Sequence, residues 1–242
     1  MPTLLGTDGY GYSAYASAID SSFSSLSSQS GASTLNLSGD DSSAALSLGQ
    51  RRFRFYGTEY DSLYITTNGQ VRFGDSGAPY SNSTLSASNP PALSVYWDDL
   101  YVLSDSRVLY KFTDTALTIE WSNIANYANT GGSRAAFQVV LGLNGGSSNG
   151  QVAFNYFDTD FGSGSLNSGS SATVGISSPA GYYQVLSNSS SSLVSAGQSV
   201  LFSTSQSPGI LSSANTAPTT ANRSVRLNED ATYTFSTADF SF

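Results

Sequence analysis

The acidic residues of this chain offer several places where chemistry could begin. Asp98 and Asp99 follow Trp97 at the end of the run Ala92 to Trp97. Two carboxylates leaving a strand end can give two of the about six to eight oxygens that Ca²⁺ requires, with the rest from carbonyls, amides or the loop acids Asp105 and Asp114. The pair also suits a plain turn between Tyr96 and Tyr101, because Asp bonds its own backbone in turns. Asp158-Thr159-Asp160-Phe161-Gly162 opens like a calcium loop, but Gly162 stands where a third oxygen ligand is expected and no Glu follows at the twelfth position, so an EF-hand is excluded. Asp40-Asp41, after Asn36 to Gly39, reads as a turn. A carbohydrate-acting enzyme would need two carboxyls at a fixed separation, with Glu59, Glu120, Asp98 and Asp99 as the available groups. Glu120 falls on the polar face of its run between Ile119 and Trp121, where an exposed, non-catalytic carboxylate is expected. Tyr10, Tyr12 and Tyr15 form one aromatic group and Tyr182-Tyr183 another. Such rings stack on sugars or anchor a protein partner, and they equally cover sheet edges.

Composition narrows the remaining chemistry. The 242 residues hold 9 Lys and Arg against 17 Asp and Glu, a formal charge of −8. Nine scattered bases build no patch for a phosphate backbone, which argues against nucleic acid. With no His and no Cys, the Ser-His-Asp triad, cysteine nucleophiles, zinc sites and disulfides are all excluded. No nucleotide loop or serine-hydrolase elbow stands in a strand-to-helix setting. Charged residues are only 11% of the chain, so the surface is one of hydroxyls and amides. No apolar run approaches the roughly 18 residues of a membrane span. Met1 to Leu5 lacks the features of a signal peptide, so the chain is expected to be cytosolic or to have its export signal outside this fragment.

The elements that must position these groups read as strands. Short runs rich in β-branched and aromatic residues recur from Leu46 onward, bounded by Gly, Asn, Asp or Ser. Leu63 to Thr67 and Gln70 to Phe73 flank Asn68-Gly69, a strong hairpin signal. Leu117, Ile119 and Trp121 share one face, and Trp121 is expected in the core. A second hairpin turns between Ala135 to Leu143 and Gln151 to Phe157. With Arg52 to Phe55, Ala92 to Trp97, Arg107 to Phe112, Ala172 to Ile176, Tyr183 to Leu186 and Ser199 to Phe202, about eleven strands are expected, all-β, in an antiparallel two-sheet sandwich. Ser21 to Ser30 reads as a loop or a loosely ordered edge. Residues 1–207 form this sandwich, 208–220 have linker composition, and 221–242 begin a second, truncated β unit.

Several segments in order carry a resemblance: Phe55-Tyr56-Gly57, Thr67-Asn68-Gly69 through Phe73, Val95-Tyr96-Trp97-Asp98-Asp99-Leu100, Leu117 to Trp121 and Phe137 to Leu141. Together they resemble the nidogen-like module of extracellular multidomain proteins and of large bacterial surface or secreted proteins. The lack of cysteines leaves the bacterial relatives as the closer comparison. Asn215-Thr216-Ala217-Pro218, Leu227 to Asp230 and Tyr233-Thr234-Phe235 look like the opening of a cadherin-like repeat. The resemblance implies a non-catalytic adhesion or spacer module at the cell surface or outside the cell. Its partner would be a protein or a glycan. No cofactor follows from the resemblance, and Ca²⁺ at Asp98 and Asp99 is the one that the residues themselves suggest, beside the plain turn.

Overall fold

The computed structural model describes residues 2–20, 23–189 and 194–204. The first strands are β1 (Thr3–Thr7), β2 (Ser13–Ala18), β3 (Ser33–Thr34), β4 (Ser43–Ser47), β5 (Phe53–Phe55) and β6 (Thr58–Tyr60). They are followed by β7 (Ser62–Thr66), β8 (Gln70–Arg72), β9 (Ala92–Trp97), β10 (Leu100–Tyr101), β11 (Arg107–Phe112) and β12 (Ala116–Asn126). The last are β13 (Ala135–Gly142), β14 (Val152–Asp158), β15 (Thr173–Ser177), β16 (Tyr183–Asn188) and β17 (Gln198–Ser203). Every run expected from alternation is a strand. The additional ones are either two or three residues long or, like Thr3–Thr7, Ser13–Ala18 and Ser43–Ser47, held by pairing with β2, β17 and β7 respectively rather than by their own alternation. The expected linker and second repeat lie outside the described residues.

Two antiparallel sheets form the sandwich. One runs β1-β2-β17-β14-β13-β12-β11-β3, with β10 also on β12, and the other runs β16-β15-β9-β8-β7-β4. Leu117, Ile119, Trp121 and Val139 of the first meet Leu63, Ile65, Val71 and Val95 of the second in one core. Trp121 is fully buried, stacks on Phe137 at 5.2 Å, and donates its indole N–H across the core to the Thr66 carbonyl at 2.9 Å. The Tyr156 hydroxyl makes a second crossing to the Val95 carbonyl, also at 2.9 Å.

Irregular chain covers the outer face of each sheet as well. Phe23 packs on Ala116, Val140 and Ala153, the reverse side of the first sheet. Beneath this cover Glu120 is buried, not exposed. Its carboxylate accepts the Ser25 hydroxyl at 2.6 Å, the Leu26 amide at 2.7 Å and the Gln138 amide at 3.0 Å. Burial pushes its pKa up, and those donors pull it down. Residues 23–29 are therefore no loose edge, since they close that carboxylate off from water and supply two of the donors that offset its desolvation. Over the second sheet, the Trp97 indole donates to the Pro79 carbonyl at 2.8 Å and the Thr173 hydroxyl to the Ser83 carbonyl at 3.0 Å. All six residues of β9 are buried as a result.

The turn between β7 and β8 fixes this second sheet. Gly69 has φ +71, and its carbonyl accepts the amides of both Val95 and Tyr96. A Cβ on Gly69 would stand 2.1 Å from the Tyr96 carbonyl oxygen, whereas one on Gly74, with φ +74, would meet nothing within 4 Å. Gly74→Ala is expected to cost about 1–2 kcal/mol from backbone strain, and Gly69→Ala about 2–5 kcal/mol because displacement of β9 adds to the same strain. Chemical denaturation compares the two, and equal losses would contradict this account of the turn.

Candidate functional site

Asp98 and Asp99 sit where the chain leaves β9 in one sheet and enters β10 in the other. The structure gives the two carboxylates different tasks. Asp98 is buried, and its oxygens accept the Asp99 amide at 3.0 Å, the Asn126 amide at 3.1 Å and the Ser171 hydroxyl at 2.5 Å. It pins the corner. Burial raises its pKa against the pull of Ser171, the Asp99 amide and Asn126.

Asp99 is half-buried and meets Asp40 and Asp41, the pair that reads as a turn in the sequence. One carboxylate oxygen from each of the three lies within 4.8 Å of the others, and this is the single group of its kind among the described residues. Asp40 and Asp41 are carried there by the bridge between Gly39 and Val102, just beyond β10. Asp41 holds φ +44 and accepts the Asn68 side-chain amide at 2.8 Å. The same Asn68 accepts the Leu100 backbone N–H at 2.9 Å, so one buried amide ties both acidic segments together. One oxygen of Asp40 is closed to solvent and has no hydrogen-bond partner.

Burial and mutual repulsion raise the pKa of both Asp99 and Asp40. Asp99 is pushed up to about 6, first by burial and then by repulsion from Asp40, Asp41 and Asp98. Asp40 is raised by burial and by Asp41, with an opposing pull from the Asp41 amide. Among the described residues the ion pair is Arg72 with Asp75, which includes none of these three carboxylates. Three carboxylates without a countercharge, one with a shielded and unbonded oxygen, suit a hard cation completed by carbonyls or water. An all-oxygen donor set favours Ca²⁺ or Mg²⁺ over metals that prefer nitrogen or sulfur.

The other candidates do not join this site. Asp105 and Asp114 are exposed and stand outside the cluster. Asp158 accepts the Asp160 amide at 2.9 Å, and Asp160 accepts the Gly162 amide at 2.8 Å and the Asn167 side chain at 2.7 Å, so both carboxylates serve their own loop. Glu59 is exposed on β6 opposite Arg54. Tyr10 and Tyr12 come together with Tyr182, while Tyr15 lies within β2. Nothing in the spacing of Asp40, Asp41 and Asp99 marks them as neighbours, because a sheet crossing and a buried Asn bring them together.

Comparison with known proteins gives one match. A family model described as NIDO related matches residues 11–236. The match takes in every described strand after β1 and continues through positions that the sequence reading divides between linker and second repeat. No curated protein and no solved structure matches the chain.

A group whose folded pKa lies above its unfolded value stabilises most below the unfolded value and loses that contribution as pH rises through the folded one. For Asp99 the window runs from about 4 to about 6. In chelator, the melting temperature should rise as pH falls from 7.5 to 5. Asp99→Asn should stabilise the protein at pH 7.5 by about 1 kcal/mol after allowance for solvent screening, a gain of about 2–4 °C, and should flatten the profile. A variant less stable than wild type at pH 7.5 would show that the cluster is not repulsive.

Proposed function

The chain belongs to the NIDO-related family, and on that premise we propose that it is a non-catalytic extracellular module, serving adhesion or spacing in a larger surface or secreted protein, with a hard cation at Asp40, Asp41 and Asp99. The observation that carries the reading is the family match across residues 11–236. Among the described residues, no helix is long and apolar enough to cross a membrane. A bacterial parent and a cadherin-like repeat over residues 221–242 rest on the sequence resemblance alone. Asp98 remains part of the cation site as the pin that sets Asp99, rather than as a donor of a free oxygen. The non-catalytic reading draws support from Glu120 and Asp98, two of the four carboxylates that a glycosidase could use. Both are buried and bonded to protein donors.

A cation held by so few charges binds in the millimolar range of extracellular modules and stabilises by mass action. Proteolysis of intact cells carrying the parent protein tests both parts, since cleavage follows the population of the opened form. The module should be cut from outside, several-fold faster in chelator than in millimolar Ca²⁺, and Asp99→Asn should remove that difference. Protection until the cells are broken would overturn the extracellular reading. Equal rates for the wild type in chelator and in calcium would overturn the cation site.

A further inference from the structure

Away from the acidic cluster, three turns bring four tyrosines together. The link between β1 and β2 supplies Tyr10 and Tyr12, the β5–β6 turn supplies Tyr56, and the β15–β16 turn supplies Tyr182. Asp8 organises them. Its Oδ1 accepts the backbone amides of Tyr10, Gly11 and Tyr12 at 3.0, 2.8 and 2.9 Å, and its Oδ2 accepts the Tyr56 hydroxyl at 2.5 Å. Tyr56 and Gly57 make a two-residue turn with φ +48 and +82, a pairing that ordinarily favours Asn or Gly at the first position. A bulky ring kept in that strained geometry needs compensation, and strain of this kind concentrates at functional surfaces. Here the ring packs against Tyr12 at 4.8 Å and Tyr10 at 5.1 Å.

The result is a floor and two uprights. Tyr12 and Tyr56 are buried, with their hydroxyls given to the Gly150 carbonyl and to Asp8. Tyr10 and Tyr182 stand 5.7 Å apart at 58° and are 41% and 40% exposed. Among the described residues no protein group bonds the hydroxyls of Tyr10 or Tyr182. A Cβ on Gly57 would come within 3.0 Å of the Tyr10 hydroxyl, so the absence of a side chain there keeps that ring in place.

We infer that this patch is a binding site for a neutral glycan. Rigid rings set at an angle offer faces to the C–H surface of a pyranose, and their free hydroxyls offer bonds to the sugar's hydroxyls. Size separates this ligand from a protein partner. At roughly 200 Å² per tyrosine, the two exposed rings present about 160 Å², far below the about 800 Å² per partner of a standard protein interface. Charge narrows the sugar. Asp8 and Arg54 are the charged groups that act on the buried Tyr12, one of each sign, and the chain as a whole is at −8, so acidic sugars gain nothing here.

The inference names a ligand class for the adhesive reading and rests on it. The test titrates hexasaccharides of β-1,4-linked glucose, β-1,4-linked N-acetylglucosamine and mannose into the module, with heparin and hyaluronan hexasaccharides as acidic arms. Amide NMR shifts and melting temperatures are recorded for each. At least one neutral sugar should bind with a millimolar or tighter constant and shift the amides of residues 8–12 and 181–183. Tyr10→Ala and Tyr182→Ala should each weaken it at least tenfold, while Tyr127→Ala, exposed elsewhere, leaves it unchanged. If a truncated variant melts early, Tyr182→Phe retains the ring and should lose only the hydroxyl's share, about two- to fivefold. Absence of neutral-sugar binding, preference for the acidic arms, or an equal loss with Tyr127→Ala would overturn the inference. A module that is cut from outside the cell yet binds no neutral sugar would sink this inference and leave the extracellular reading standing.

Discussion

Asn68 spends its buried amide on three segments at once: the Asp41 carboxylate, the Ala78 carbonyl in the cover over the second sheet, and the Leu100 amide where the chain crosses between sheets. Gly69, its neighbour, accepts two amides of β9 on a single carbonyl. The pair forms the β7–β8 hairpin, and the same two residues decide where β9 lies, where the crossing begins and how closely Asp40 and Asp41 approach Asp99. A buried amide left unpaired costs more than its bond is worth, so the three connections hold or fail together.

The layered covers explain the unusual composition. A two-sheet sandwich ordinarily exposes one face of each sheet, and those faces carry charge. Here Phe23 to Gln29 cover one outer face and residues 74–91 the other, so outward positions hold Gln138, Asn155, Ser94 and Thr173 in place of Lys and Glu. Two charged residues are the exceptions. Arg72 pairs with Asp75 of the cover over the second sheet, and Glu120 survives burial because its oxygens meet three donors, two of them supplied by the covering segment.

Most strands are legible in the sequence because alternating β-branched and aromatic residues declare both the strand and its buried face. Trp121 follows from the same pattern. β2 is not legible, since Ser and Ala have little strand preference and it is a strand through its pairing with β17, and the short Gly-containing β1 is a strand through its pairing with β2. The site is half legible. Asp98-Asp99 stands out in the sequence, but the partners of Asp99 lie almost sixty positions earlier in what reads as an ordinary turn. Glu120 misleads for the same reason, because Ser25 and Leu26 reach it from about ninety-five positions away. The tyrosine groups near residues 10 and 182 are visible separately, and only the fold joins them.

The central claim is that the sheet crossing assembles one oxygen site from Asp40, Asp41 and Asp99 and leaves it short of positive charge. Locating the ion tests this most directly, by anomalous diffraction from crystals grown with a lanthanide standing in for Ca²⁺. The account predicts a single strong peak with oxygens of all three carboxylates about 2.3–2.6 Å away. A peak at Asp158 and Asp160, or none at the crossing, would contradict it.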